Sequence, residues 1–171
     1  MEYLDIVDEQ GNRTGEVLDR KTAHDLNKLH WEITIFVVNG KGQILLEKRS
    51  MNKRYSPGKW APLAGHVDSG EEIDDAALRE AKEELGLVLQ STDLVVIEKG
   101  LLRKCEEDSR ISRYYYTICD KGADSFAIQR EELSGVRWFD IDEVIKMAQS
   151  DDNPTSIHAD RVYLLERLKK V

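Results

Sequence analysis

The chain predicts an α/β (α+β) fold, a mixed sheet covered by helices on both faces. Three observations carry that expectation. Residues 30–38 (HWEITIFVV) set Trp31, Ile33, Ile35 and Val37 on one side of a strand and Phe36 and Val38 on the other. A strand apolar on both faces belongs at the centre of a covered sheet. Short alternating segments at 2–7, 93–103, 111–120 and 135–139 supply further strands, and amphipathic stretches near 70–86, 140–149 and 157–170 supply helices to cover them.

Taken in order, EYLDIV at 2–7 is a strand, Asp8 to Gly15 a turn, and EVLD the returning strand. A short helix follows over 20–27. Asn39-Gly40-Lys41-Gly42 is a hairpin turn leading into QILLEKR. Residues 50–60 (SMNKRYSPGKW) form a basic loop, APLA a short strand, and CEEDSR a polar turn between the strands at 93–103 and 111–120.

The chain has 171 residues, 40% of them hydrophobic and 34% charged. That composition predicts one globular domain spanning 1–171. A net charge of −8 argues against holding nucleic acid by bulk attraction to phosphate. An acidic protein that acts on an anion needs local positive charge, from a metal ion or a few placed Arg and Lys. Cys105 and Cys119 form no Cys-x-x-C unit, so neither a disulfide scaffold nor a zinc knuckle is indicated. The opening MEYLDIVDEQ lacks a basic start and a long apolar run, and no stretch is long enough to cross a bilayer. A cytoplasmic protein without a membrane partner is expected. Whether it pairs as a homodimer is left open.

The informative stretch runs from Gly65 to Leu87. Ser69 followed by Glu72 fits a capping box, which starts a helix near Gly70, and Gly86 fits the left-handed residue that ends one. Residues turn by about 100° each on a helix. Ile73, Ala77, Ala81 and Leu85 then share an apolar stripe, while Glu80, Glu83 and Glu84 crowd one flank and Arg79 sits four residues before Glu83. Each like-charge pair costs a few tenths of a kcal/mol on an exposed helix. Such residues form either a solvated acidic face or a cation site. Oxygen-only ligands suit Mg²⁺ or Mn²⁺.

The spacing decides between them. Gly65, Glu71, Arg79, Glu80, Ala81, Glu83, Glu84, Gly86 and Leu87 match every specified position of the Nudix box, and the chain resembles the Nudix hydrolase family over most of its length. The resemblance implies an α/β/α sandwich around a mixed sheet. It also implies Mg²⁺- or Mn²⁺-dependent hydrolysis of a small-molecule diphosphate, a nucleoside diphosphate derivative or a related organic diphosphate. Carried over, Gly65 (through its carbonyl), Glu80, Glu83 and Glu84 are the metal ligands. Glu80, Glu83 and Arg79 are the catalytic residues, with Arg79 orienting Glu83 and Glu71 bracing the loop. Family members also use a carboxylate from outside the box, here Glu132, with Glu106, Glu107 and Asp108 as an alternative.

The N-terminal third resembles the branch that contains isopentenyl diphosphate isomerase, in DIVDEQGNRTG, in His24 and His30, and in LLEKRS and SPGKW. There two such histidines and a third near the Gly-rich loop bind metal, which makes His24, His30 and His66 a candidate second metal site, although surface or structural roles fit them too. The isomerases, however, carry a catalytic cysteine where this chain has Ala64, and a glutamate in the strand that here reads ISRYYYT. Both acid/base groups of a proton shuttle are then absent. A hydrolase on that branch's scaffold is the expectation, with an isomerase and a non-cleaving nucleotide sensor as rivals. Arg49, Lys53 and Arg54, with Lys48, are candidates for phosphate contact, or simply a solubilising loop. Tyr115, or its neighbours Tyr114 and Tyr116, either stacks on a base or packs in the core, and Trp60 is a further core candidate.

Overall fold

The computed structural model describes residues 2–104 and 109–171. Cys105, Glu106, Glu107 and Asp108 lie outside the described residues. Among the described residues, nine strands and four α-helices follow in the order β1 (Tyr3–Val7), β2 (Arg13–Asp19), α1 (Arg20–Asp25), β3 (Trp31–Val38), β4 (Gln43–Arg49), β5 (Trp60–Ala61), β6 (Leu63–His66), α2 (Ile73–Leu85), β7 (Val95–Arg103), β8 (Arg110–Ile118), β9 (Leu133–Asp140), α3 (Ile141–Ala148) and α4 (Val162–Leu168).

β3 organises the sheet. Along one edge it pairs with β8 in parallel, from Trp31 against Ile111 to Val38 against Ile118. A strand has only two edges, so β4 and β6 share the other. β4 takes Val37 and Val38, and β6 takes Glu32 to Ile35. β9 then lines β4 from Gln43 to Arg49, and β7 lines β8. The hairpin of β1 and β2 forms a separate small sheet. Its Leu4 and Ile6 pack with Ala23 of α1.

Alternation along β3 divides the core as its sequence predicts. Ile33, Ile35 and Val37 face α2, where they meet Ala77, Ala81 and Leu85. Phe36 and Val38 face α3 and α4, where they meet Val144, Leu164 and Leu165. The result is the expected mixed sheet with helices on both sides. No helix among the described residues is long and apolar enough to cross a membrane.

Two helix boundaries differ from the sequence expectation. α2 begins at Ile73, not near Gly70, and no side chain caps it. The residues of the supposed capping box are engaged elsewhere. The Ser69 hydroxyl donates to Asp5, the Gly70 amide also donates to Asp5, and Gly70 has φ +81°. The loop is therefore tied to β1 instead of being wound into the helix. At the far end, the helix expected over 157–170 narrows to α4 after a 3-10 turn at Ala159–Arg161. Asn153 Nδ2 donates to the Ile157 carbonyl at 2.7 Å, and the Ser156 amide donates to Trp60 at 2.8 Å. These bonds hold 153–157 against β5 as a loop. Trp60 packs edge-on to Phe139, with ring centroids 4.9 Å apart.

Gly86 ends α2 at φ +63°, and a Cβ there would stand 2.9 Å from that of Ala127. Gly86→Ala is expected to lower stability by about 1–2 kcal/mol, read as a lower midpoint in thermal unfolding. A midpoint equal to wild type would show that the left-handed cap is not required.

Candidate functional site

β6 and α2 form one side of a cleft of about 1100 Å³. Pro62 separates β5 from β6, which then runs through Gly65 and His66, pairing Gly65 with Ile33 and His66 with Glu32. α2 lies directly over this strand. A Cβ on Gly65 would fall 2.1 Å from Cδ of Glu80, so only glycine leaves room for that carboxylate against the backbone.

Arg79 gathers the acidic groups. Its Nε and Nη2 donate to the two oxygens of Glu71, each at 2.9 Å, a bidentate fork. Nη1 donates to Glu80 at 2.8 Å and to Glu83 at 3.2 Å, and Nη2 also reaches the His66 carbonyl at 2.9 Å. The second face of Glu71 accepts the Asp68 amide at 3.0 Å. Loop, strand and helix are thereby fastened by one guanidinium, held charged by the Glu71 carboxylate first and by Glu80 after it.

Burial and the neighbouring charge of Glu84 push the Glu80 carboxyl up to about 7. Glu84 is buried too, and burial raises it. It faces Glu47 on β4, whose carboxyl burial pushes well above the usual range, with the Glu84 charge adding to the effect. One oxygen of Glu47 and one of Glu84 are buried with no hydrogen-bond partner. Orphaned acceptors of this kind are costly in an interior. Glu83 is the open member, half exposed. The donor set is all oxygen, its charge is only partly compensated by Arg79, and Gly65 gives access to the backbone. These residues fit a divalent cation of the Mg²⁺ or Mn²⁺ type.

The other wall carries cations. Lys53 pairs with Glu132, and burial lowers the Lys53 ammonium. Arg49 donates from Nε to the Tyr55 carbonyl at 3.1 Å and lines the cleft with Lys53 and Glu132. Arg54 does not join them. It binds Asp25 at 2.8 Å outside the cleft, because the chain turns over at Tyr55. Lys48 points to the opposite face of β4 and lies over Trp60. Tyr115 is also corrected. Its ring is 1% exposed in the core under α2 and its hydroxyl donates to Asp74, so it packs and does not reach the cleft. Alternation on β8 turns Tyr114 toward the cleft instead.

His24, His30 and His66 are buried and converge. Their ligand nitrogens all lie within 4.8 Å of one another, and the Nε2 atoms of His24 and His66 are 3.1 Å apart. His30 Nδ1 lies 2.9 Å from the Lys28 carbonyl, which as an N–H donor leaves Nε2 as the electron-pair face. Glu2 stands 3.3 Å from His66 Nδ1, and burial holds His66 down to about 4. The surface role open to His24 and His30 in the sequence does not hold.

Sequence reading missed Glu2, Arg20 and Glu47. Glu47 left a signal. Period two places it on the face of Leu45, which packs against α2, so a carboxylate there had to be buried. Glu2 and Arg20 pair at 2.8 Å and reach the cleft only because the β1–β2 hairpin folds back, which no local pattern announces.

The NUDIX domain family matches residues 28–159. The chain belongs to the Nudix hydrolase family. It is 33% identical to an uncharacterized Nudix hydrolase of Yersinia pestis over 96% of this chain and 86% of the relative. It is 32% identical to an isopentenyl-diphosphate Delta-isomerase of Saccharopolyspora erythraea over 82% of this chain and 73% of the relative. This Nudix chain therefore stands near the isomerase branch. A crystal structure from Deinococcus radiodurans shares its fold, with TM-score 0.75 and 21% identity over 98% of this chain and 99% of that one.

Arg79→Gln strands three carboxylates. We expect a loss of about 2 kcal/mol, below the range for a fully buried network because the side chain keeps some exposure. Arg137→Gln, which breaks an exposed pair with Glu143, should move stability by under about 0.5 kcal/mol. Urea melts of both variants check the contrast, and equal losses would contradict the hub role.

Proposed function

We propose that the protein hydrolyses a diphosphate linkage in a nucleoside diphosphate derivative or related organic diphosphate, with Mg²⁺ or Mn²⁺ as cofactor. One observation carries this reading: Glu80, Glu83 and Glu84 are drawn together beside the Gly65 backbone, two of them buried with raised pKa values. In this reading the three carboxylates and the Gly65 carbonyl hold the cation. When bound, that cation neutralises diphosphate oxygens and makes a water more acidic.

The remaining roles belong to the chain. Arg79 keeps Glu80 and Glu83 aimed at one point. Arg49 and Lys53 meet the non-bridging phosphate oxygens. Glu132, across the cleft from α2, accepts the proton of the attacking water, which adds in line to one phosphorus while the other phosphate leaves. The isomerase alternative finds no support in the site. Ala64 lines the cleft floor with no proton to give, and Ser112 and Tyr114 face it from β8 where a carboxylate would be needed.

A second cation reading is favoured by the histidine geometry. Three imidazoles within reach of one point, with Glu2 beside His66, form a set suited to a transition-metal ion such as Mn²⁺.

Phosphate release should be seen from at least one member of a panel of nucleoside triphosphates, nucleotide sugars, dinucleotides and isoprenoid diphosphates, with Mg²⁺ or Mn²⁺. It should drop by more than about 100-fold in Glu83→Gln and Glu84→Gln. Isomer exchange without phosphate release would favour the isomerase, and tight binding without turnover the sensor. Mn²⁺ binding by calorimetry gives a pH test. Glu80 titrates near 7 without metal, so below that value the ion must displace a proton. Affinity should therefore rise between about pH 6 and about pH 8 and level off above. An affinity flat across that window would remove Glu80 from the ligand set. His66→Asn should lower the Mn²⁺ stoichiometry by one ion if the histidines form the second site.

A further inference from the structure

The cleft extends well past the carboxylates, and its far end is cationic. Arg103 closes β7, Arg110 opens β8, and Arg161 ends the 3-10 turn before α4. All three line the cleft, with His158 among them. Arg103 and Arg110 are direct cross-strand partners, an arrangement that destabilises a sheet when both residues carry the same charge. Arg110 Nε meets Glu32 at 3.2 Å and Arg161 meets Asp160 at 3.0 Å. Arg103 Nη1 lies 3.2 Å from His158 Nε2, and among the described residues no carboxylate stands within ion-pair distance of Arg103. Burial, then the Arg103 charge, holds the His158 imidazole below its ordinary range. A positive pocket of this kind is notable in a chain of net charge −8, and the Arg110 and Arg161 side chains are about four-fifths buried, unlike a solubilising surface.

The position of the pocket relative to the carboxylates follows from the sheet. Gly65 pairs with Ile33 and Ile33 with Arg113, so two strand spacings, roughly 10 Å, separate Gly65 from β8, and Arg110 lies farther along that strand with Arg103 one strand beyond it. Between them Tyr114 lines the cleft, its ring stacked on Phe36. A pyrophosphate group is too short to touch both ends at once, whereas an organic diphosphate with a remote anion spans them. Guanidinium forks suit the oxygens of a phosphate monoester, and several around one group match its double charge.

We propose that Arg103, Arg110 and Arg161 bind a second phosphate of the substrate, so that the preferred substrates are organic diphosphates bearing a phosphate monoester remote from the bond that is cleaved. This rests on the diphosphatase reading for its chemistry, and its test separates the two.

Two matched pairs differ by a single phosphate monoester: NADP⁺ against NAD⁺, and coenzyme A against dephospho-coenzyme A. Calorimetric binding to the full chain without divalent metal should favour the phosphorylated member of at least one pair by about tenfold or more. That ratio should fall toward one in Arg161→Gln and in Arg103→Gln, and persist in Arg137→Gln, whose side chain lies outside the cleft. Circular dichroism melts show that each variant is folded. Arg161→Gln keeps the test intact if the strand-end variant is not. Equal affinities within both pairs, no measurable binding of any member, or a preference that survives Arg161→Gln overturns the proposal. With Mg²⁺ added, a binding preference without cleavage leaves this site standing and removes the hydrolase reading. Cleavage at equal kcat/KM within each pair does the reverse.

Discussion

A helix that presents Glu80, Glu83 and Glu84 along one flank would by itself push those groups apart. Arg79 reverses the sign of that problem. Its five donors reach Glu71, Glu80, Glu83 and the His66 carbonyl, so the loop before α2, the helix and strand β6 are held by one planar cation that cannot lose its proton. The carboxylates are then fixed beside Gly65 and not dispersed in solvent. Glu84 lies beyond reach of the fork; it faces Glu47, another acid, and the charge of Lys53, with those of Arg49 and Arg20 behind it, offsets its burial only in part. The cluster is thus half neutralised: ordered by Arg79, yet still short of positive charge where Glu80 and Glu84 meet. That residual deficit is what the proposed divalent ion would relieve.

The sheet turns this local arrangement into a cleft. Because β8 occupies one whole edge of β3, strands β4 and β6 must divide the other. β6 carries Gly65 to α2, and β4 carries Glu47, Arg49 and, through the loop after it, Lys53 to the same opening. The division along β3 also fixes which residues of β8 look into the cleft. Tyr115 shares its face with Ile35 under α2, while Ser112 and Tyr114 take the opposite one. The cleft consequently has an acidic end on α2 and an arginine-rich end at the mouth of β7 and β8, a polarity that a molecule with charge at both ends can match.

The parts legible in the sequence are those set by short-range rules. The two apolar faces of β3, the stripe of α2 and the glycine that ends it each follow from a fixed period or a single backbone requirement. The box spacing likewise places Arg79 four residues from Glu83, and the contact follows from helix geometry alone. What escaped depends on chain segments meeting at a distance. Ser69 and Glu72 satisfy a capping pattern, but Asp5, some sixty residues away, binds Ser69 and Gly70 and delays the helix. Arg54 and Lys53 are neighbours in a basic loop, and only the turn at Tyr55 decides that one faces Glu132 and the other Asp25. The three histidines come from α1, the residue before β3 and the end of β6, and their convergence is a property of the folded chain.

The histidine cluster bears on how one scaffold can host different chemistry. Burial holds His66 near 4, so at neutral pH this imidazole is uncharged and presents a lone pair, the form a metal requires. A proton shuttle needs more than a metal: an acid on one side of the substrate and a base on the other. At the floor of this cleft Ala64 offers a methyl group, and the strand opposite offers a hydroxyl at Ser112 and a phenol at Tyr114, which burial holds above its already high ordinary value. Neither delivers or takes a proton readily at neutral pH. Meanwhile α2 keeps every carboxylate that a cation beside a phosphoanhydride would use. In the proposed reading the fold would therefore keep the means to bind and polarise a diphosphate, and it lacks the pair of groups that would move protons along a carbon chain. That difference in acid/base equipment, more than the overall similarity to isomerases, sets what the site can do.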